Sequence, residues 1–142
     1  MSARLASVVA VVLLFVGCMA TPVRAESDKA LLASGRKVYI ERVDGKDIHR
    51  SMEQPLSEWG RWTVVSDRTQ ADLVVRLHVS TSKFKGDSLA ASIVSLPEQH
   101  VLWTSTRHKA VGNAFHGFKS PFGKAATAIV EEMKASANNW LQ

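Results

Sequence analysis

Asp72-Leu73-Val74-Val75-Arg76-Leu77-His78-Val79-Ser80 (72–80) is the stretch from which the rest of the chain can be laid out. Leu73, Val75, Leu77 and Val79 fall on one face of a strand, and Val74, Arg76, His78 and Ser80 on the other. One face is apolar and the other mixed. Such a strand belongs in a sheet with helices on one side and partial solvent on the other. Upstream, the polar turn 67–70 separates it from Trp62-Thr63-Val64-Val65-Ser66, a second strand rich in β-formers. Before that, Ile48, Met52, Leu56 and Trp59 recur at spacings of four, four and three, which is one helical stripe. Asp47 is placed to cap this helix, and Gly60 to stop it. Pro55 lies inside it and is expected to kink or restart it. Lys37 to Val43 (KVYIERV) alternates as a first strand, ended by the turn Asp44-Gly45. Strand, helix, strand in succession favours a right-handed parallel crossover.

Downstream, Lys83 to Asp87 is a basic, glycine-containing turn. Leu89 to Leu96 and Val101 to Arg107 flank Pro97-Glu98-Gln99-His100 as a hairpin with a four-residue loop. Residues 110–120 (AVGNAFHGFKS) read as loop. Ser120-Pro121 supplies cap and first position of a last helix, striped by Ala126, Ile129, Val130, Met133, Ala137, Trp140 and Leu141. The expected fold is α/β (α+β): a two-layer sandwich with a mixed sheet of about five strands and two helices on one face, in the order β-α-β-β-β-β-α. It occupies 37–142 as a single α/β domain, with 26–36 as a lead-in.

The first 25 residues read as a secretory signal peptide. Arg4 is the positive region, and Leu5 to Val16 is an uncharged run of 12 residues, shorter than the roughly 20 needed to span a bilayer. Pro22-Val23-Arg24-Ala25 offers small or apolar residues for a cut after Ala25. Phe15-Val16-Gly17-Cys18 competes with it, because it resembles a lipobox whose cysteine is lipidated after removal of a lipoprotein signal over 1–17. Both routes export the chain.

The chain has 142 residues, 46% of them hydrophobic, one cysteine and a formal charge of +5. That fits one domain, and the lone cysteine excludes an internal disulfide framework or a multi-cysteine zinc site. Removing Arg4 and Arg24 with the signal lowers the charge to +3, too little for a nucleic-acid reader. The four tryptophans sit on patterned core faces, away from any basic stripe.

The strand KVYIERV, the helix ending LSEWGRW, then TVV, a short gap, Ala71-Asp72-Leu73-Val74-Val75-Arg76-Leu77, a hairpin reaching Val101-Leu102-Trp103 and a closing amphipathic helix together resemble a group of bacterial envelope domains. The group comprises the amino-terminal domain of the Tol-system translocation protein, the curli-secretion lipoprotein and the penicillin-binding-protein activator lipoproteins. The resemblance covers about residues 37–141. It implies a non-catalytic module that binds other envelope proteins. A chain of this length is expected to stand alone, without an attached propeller or membrane-spanning hairpins.

Motifs for chemistry are absent. His49, His78, His100, His108 and His116 make no i, i+4 pair with a nearby acid, so no metal is expected. There is no Gly-x-Ser-x-Gly elbow, phosphate loop or dinucleotide fingerprint, so no catalytic residue and no cofactor are assigned. The distinctive stretch is 99–130, which carries Arg107, Lys109, Lys119 and Lys124 and no acidic residue. In it Phe115, Phe118 and Phe122 alternate with Gly112, Gly117 and Gly123. Over 110–124 this is either a basic aromatic loop that docks an anionic lipid, a glycan or a protein edge, or a small satellite core with solvated lysines.

The expected function is therefore an exported envelope domain, periplasmic, secreted or anchored in the outer membrane, that binds an envelope protein or forms a homo-oligomer. An anionic lipid or glycan binder is the alternative, and a hydrolase without recognisable motif the third. Membrane attachment is expected only through lipidation of Cys18. Intact mass of the exported protein tests the processing. A mass beginning at Glu26 means a free domain, and a heavier one beginning at a lipid-bearing Cys18 means an anchored one.

Overall fold

The computed structural model describes residues 28–44, 47–110 and 121–140. The elements are β1 (Lys37–Ile40), α1 (Ile48–Trp59), β2 (Thr63–Val65), a 3-10 turn (Arg68–Gln70), β3 (Leu73–Ser80), β4 (Ser88–Ser95), β5 (Val101–Thr104), β6 (His108–Lys109) and α2 (Gly123–Trp140). The strands form one mixed sheet in the order β2-β1-β3-β4-β5, with β6 also paired to β4. β1 is parallel to both β2 and β3, whereas β4 runs antiparallel to β3, β5 and β6. The expected α+β sandwich is present, with one more short strand than the order read from the sequence.

The core lies between the sheet and both helices. Val38, Ile40, Leu73, Val75, Leu77, Leu89, Ala91 and Ile93 supply its sheet side, each at every second position of its strand. Ile48, Met52 and Leu56 come from α1, and Ala126, Ile129, Val130 and Met133 from α2. No helix among the described residues is long and apolar enough to cross a membrane.

Several boundaries differ from the sequence expectation, each for a physical reason. α1 runs unbroken through Pro55. The ring removes only one intrahelical bond, and the buried Met52 and Leu56 hold the helix to the core on either side. Asp47 makes no side-chain capping bond. Gly60 does end the helix, in the left-handed conformation at φ 68°, which a side chain would disfavour. α2 begins at Gly123 rather than at Pro121, because Phe122 turns into the core while its carbonyl accepts the Ala126 N–H at 2.8 Å. The expected strand 101–107 is split at Ser105. There the Ser105 hydroxyl takes the Ala91 N–H at 2.9 Å, where a strand carbonyl would otherwise bond.

Residues 28–36, expected as a lead-in, are knitted into the domain. The Leu32 side chain is 3% exposed and belongs to the core. Its carbonyl accepts both Nε and Nη2 of Arg61, at 3.1 and 2.9 Å. Trp62 Nε1 donates to the Ala33 carbonyl at 3.0 Å, and Gly35 N–H to that of Arg61 at 2.8 Å. Leu32→Ala is expected to cost about 2–5 kcal/mol, the range for a buried leucine. Urea unfolding checks this, and an unchanged midpoint would mean that the segment is dispensable.

Candidate functional site

On the sheet face turned away from the helices an apolar row lies between polar ones. Register places Val65, Tyr39, Val74, Val94 and Val101 in one row across β2, β1, β3, β4 and β5. Val74 and Val94 are buried in this row, while Val101 is 50% exposed. The adjoining row is polar. Arg76 Nε donates to Glu41 at 3.0 Å, and Arg68 lies 3.7 Å from the same carboxylate. Ser92 lies opposite both Arg76 and Thr104. Its hydroxyl is 2.9 Å from His78 Nε2 and accepts from Thr104 at 3.4 Å. A serine on an imidazole is the first half of a nucleophile–base pair. Among the described residues no carboxylate bonds to His78, so the acid that orients such a base is missing.

A second polar cluster joins the β5–β6 connection to α2. Glu132 accepts the Thr106 N–H at 2.8 Å and the Thr106 hydroxyl at 2.9 Å, and lies 3.0 Å from His108 Nε2. Partial burial pushes the Glu132 carboxyl upward in pKa, but the bonds from His108 and Thr106 outweigh it and hold the group below its usual range. Thr106, His108 and Glu132 look like the members of a relay. However, the same Nε2 also meets the Thr106 hydroxyl, at 3.3 Å. A relay instead uses the two ring nitrogens for two different partners. This cluster is a latch that fixes the β6 segment to α2.

All four tryptophans of the chain meet at one end of the sandwich. Trp62 stacks on Trp140 with ring centroids 6.1 Å apart, and Trp59 and Trp103 approach edge-on at 5.3 and 6.4 Å. The Arg61 guanidinium lies 5.7 Å from the Trp59 ring and 5.6 Å from that of Trp140. Trp103 Nε1 donates to Ser136 at 3.1 Å. The aromatic surface is spent on packing between the helix ends and the sheet.

The residues singled out in the sequence fall into three groups. Cys18, Phe115, Phe118 and Lys119 lie outside the described residues. Phe122 is a correction to the docking loop: it is 4% exposed and sits in the core, so it is not offered to a partner. Arg107, Lys109 and Lys124 are exposed, the first two in or beside β6 and the last in the first turn of α2. Two exposed apolar side chains escaped the sequence reading, Phe84 at 99% and Val101 at 50%. For Phe84 the signal was legible, as an aromatic between two lysines in a turn. For Val101 it was not, since alternation alone does not say which strand is an edge. Among the described residues no group of His, Cys, Asp or Glu could hold a metal ion.

No family model matches the chain, and no curated protein does. Solved structures are similar to it. TolB from Acinetobacter baumannii is 13% identical, with a TM-score of 0.52 over 75% of this chain and 29% of that one. Lipoprotein B from Nitrosomonas europaea is 15% identical, with a TM-score of 0.48 over 75% of this chain and 86% of that one. A PelC dodecamer from Paraburkholderia phytofirmans is 16% identical, with a TM-score of 0.45 over 75% and 87%. The chain spans less than a third of TolB, and what the two share at this identity is the fold. The resemblance to the Tol-system protein drawn from the sequence stands at that level.

The Glu132 latch makes a pH-dependent contribution. A carboxylate lowered in the folded state stabilises the fold above its unfolded pKa, and that stability is lost as pH falls through the folded value. Glu132→Gln should therefore cost about 1–2 kcal/mol at pH 7. The gap in melting temperature should hold at pH values above the ordinary carboxylate value of 4.5 and narrow as the pH falls below it. Thermal melts across that range check it, and a gap unaffected by pH would contradict the assignment.

Proposed function

We propose that this chain is an exported, non-catalytic domain of the bacterial cell envelope that binds a second envelope protein through the free edge of β5. Export rests on the signal-like first 25 residues. The envelope role is in keeping with a fold shared with TolB, though fold alone does not carry function. The observation that carries the binding mode is β5 itself. Among the described residues it ends the sheet and pairs only with β4. Its four residues, Val-Leu-Trp-Thr, include no charge and no proline. Edge strands are commonly blunted by lysine, proline or a bulge so that they do not pair with other chains. β5 lacks lysine and proline, and its one irregularity is the extra residue Leu102, which stands opposite the Ile93–Val94 step and turns Val101 outward of the bulge. Half-exposed Val101 gives an arriving strand an apolar side chain to cover. The opposite edge, β2, is shorter, at three residues.

Among the described residues no acid orients His78 toward Ser92, which favours a binding role over a hydrolytic one. Of the docking loop over 110–124, the burial of Phe122 leaves less aromatic surface to present.

Val101→Lys places a charge on the edge without disturbing the core. Cross-linking in intact envelopes followed by mass spectrometry should find a discrete partner for the parent chain. The yield should fall about tenfold in the variant, a loss of about 1.4 kcal/mol, while circular dichroism stays the same. If the parent instead forms a dimer in solution that Val101→Lys dissolves, the partner is a second copy. Cross-linking that ignores the substitution removes the β5 edge as the binding site.

A further inference from the structure

The β3–β4 connection ends in a tip whose chemistry is not accounted for by protein binding at β5. Between Ser80 and Ser88 the chain makes a short closed turn. Gly86 N–H donates to the Ser82 carbonyl at 3.0 Å, and Lys85 N–H to the Ser82 hydroxyl at 3.2 Å. Gly86 has φ +76°, where a side chain would be strained. The closure puts Lys83, Phe84 and Lys85 at the apex, all exposed. Phe84 is 99% exposed, so the whole ring meets water.

The base of the tip is basic as well. Lys109 pairs with Ser88 in register, Arg107 Nη1 donates to Ser88 Oγ at 3.4 Å, and Ala110 N–H donates to the Asp87 carbonyl at 2.8 Å. Segments 81–88 and 106–110 thus bring together Lys83, Lys85, Arg107 and Lys109. The acids facing them are Asp87 and Glu132, and Glu132 is committed to His108 and Thr106. Lys124 joins from the first turn of α2. That helix starts at this end of the sheet, since its far end packs on Trp62 and Trp103.

We propose that the Lys83-Phe84-Lys85 tip, with Arg107 and Lys109 beside it, docks the domain on an anionic phospholipid bilayer by setting the Phe84 ring at the headgroup level. Anionic headgroups attract basic side chains over about a Debye length, and an aromatic ring is stable at the boundary with the acyl chains. Lysines on both sides of one ring can reach headgroups while the ring descends between them. A protein surface would have to supply both an apolar pocket and acidic groups around it. A bilayer supplies both everywhere, which is why it is the occupant named. The tip sits at the opposite end of the sheet from residues 28–36, which bond to 61–63 beside the starts of β1 and β2. Docking there does not require a lipid on Cys18. It is also separate from the β5 edge, because Val101 pairs near the far end of β4 from Ser88.

The test uses the full chain carrying Cys18→Ser, purified after export, so that no lipid anchor contributes. It is sedimented with vesicles of phosphatidylcholine containing about 30% phosphatidylglycerol, and with phosphatidylcholine alone, at low and at about 0.5 M salt. Binding is expected with the anionic vesicles only, and lost in high salt. Phe84→Ser and the pair Lys83→Glu with Lys85→Glu should each weaken it about tenfold or more, with melting temperatures unchanged. Phe84→Trp should restore it. Val101→Lys should leave it intact, which separates failure here from failure of the β5 edge. Absence of binding in the parent, equal binding to neutral vesicles, or binding that needs the lysines but not Phe84 would each overturn the proposal.

Discussion

Leu73, Val74 and Val75 are fully buried one after another, which a strand achieves only where both of its faces and both of its edges are covered. β3 has its edges covered by β1, in parallel, and β4, antiparallel, and its Leu73 and Val75 pack with the helices. Every other placement is relative to it. Since side chains alternate along a strand, a slip of one residue would turn Leu73, Val75 and Leu77 away from the helices and bring Arg76 under them. The register is therefore fixed by burial. Through β1 and β4 it dictates where β2, β5 and β6 can lie.

Around that strand, polar contacts decide details that burial leaves open. Arg61 is the clearest case. Its guanidinium lies against two indole rings and donates twice to the Leu32 carbonyl. One side chain thereby joins the end of α1, the end of α2 and the segment before β1. The Glu132 cluster does the same at the middle of α2, satisfying the Thr106 backbone where the strand is interrupted. Neither is a strong interaction by the standards of a core leucine. Each fixes an orientation between elements that the apolar core would tolerate in more than one arrangement.

The molecule consequently has two ends of different character. One gathers the tryptophans, the ends of both helices and residues 28–36, and its bonding groups are used internally. The other carries the β3–β4 tip, the β6 segment and the start of α2, where lysine, arginine and one bare phenylalanine face outward. Interaction with a partner or a surface requires groups left over after folding. Those are found at the second end and along β5.

The sequence by itself determined the class of fold and the large elements. The period-two run at 72–80, the stripe Ile48–Met52–Leu56 and the stripe from Ala126 to Ala137 each have one physical solution, because only one periodicity buries them. Gly60 was legible as a helix stop for the same local reason. What only the tertiary structure decided depends on neighbours distant in the chain. Phe122 reads as loop from its glycine-rich surroundings, yet it is core because α2 needs its first turn seated on the sheet. Leu32 reads as lead-in, yet it is core because Arg61, 29 residues away, binds its carbonyl. Val101 reads as one more apolar residue of an alternating strand, and only the strand order, which leaves β5 at the sheet's edge among the described residues, shows that it is half-exposed. Periodicity records which residues must be buried together. Which surface remains uncovered is settled only when strand order and helix placement have used up the rest.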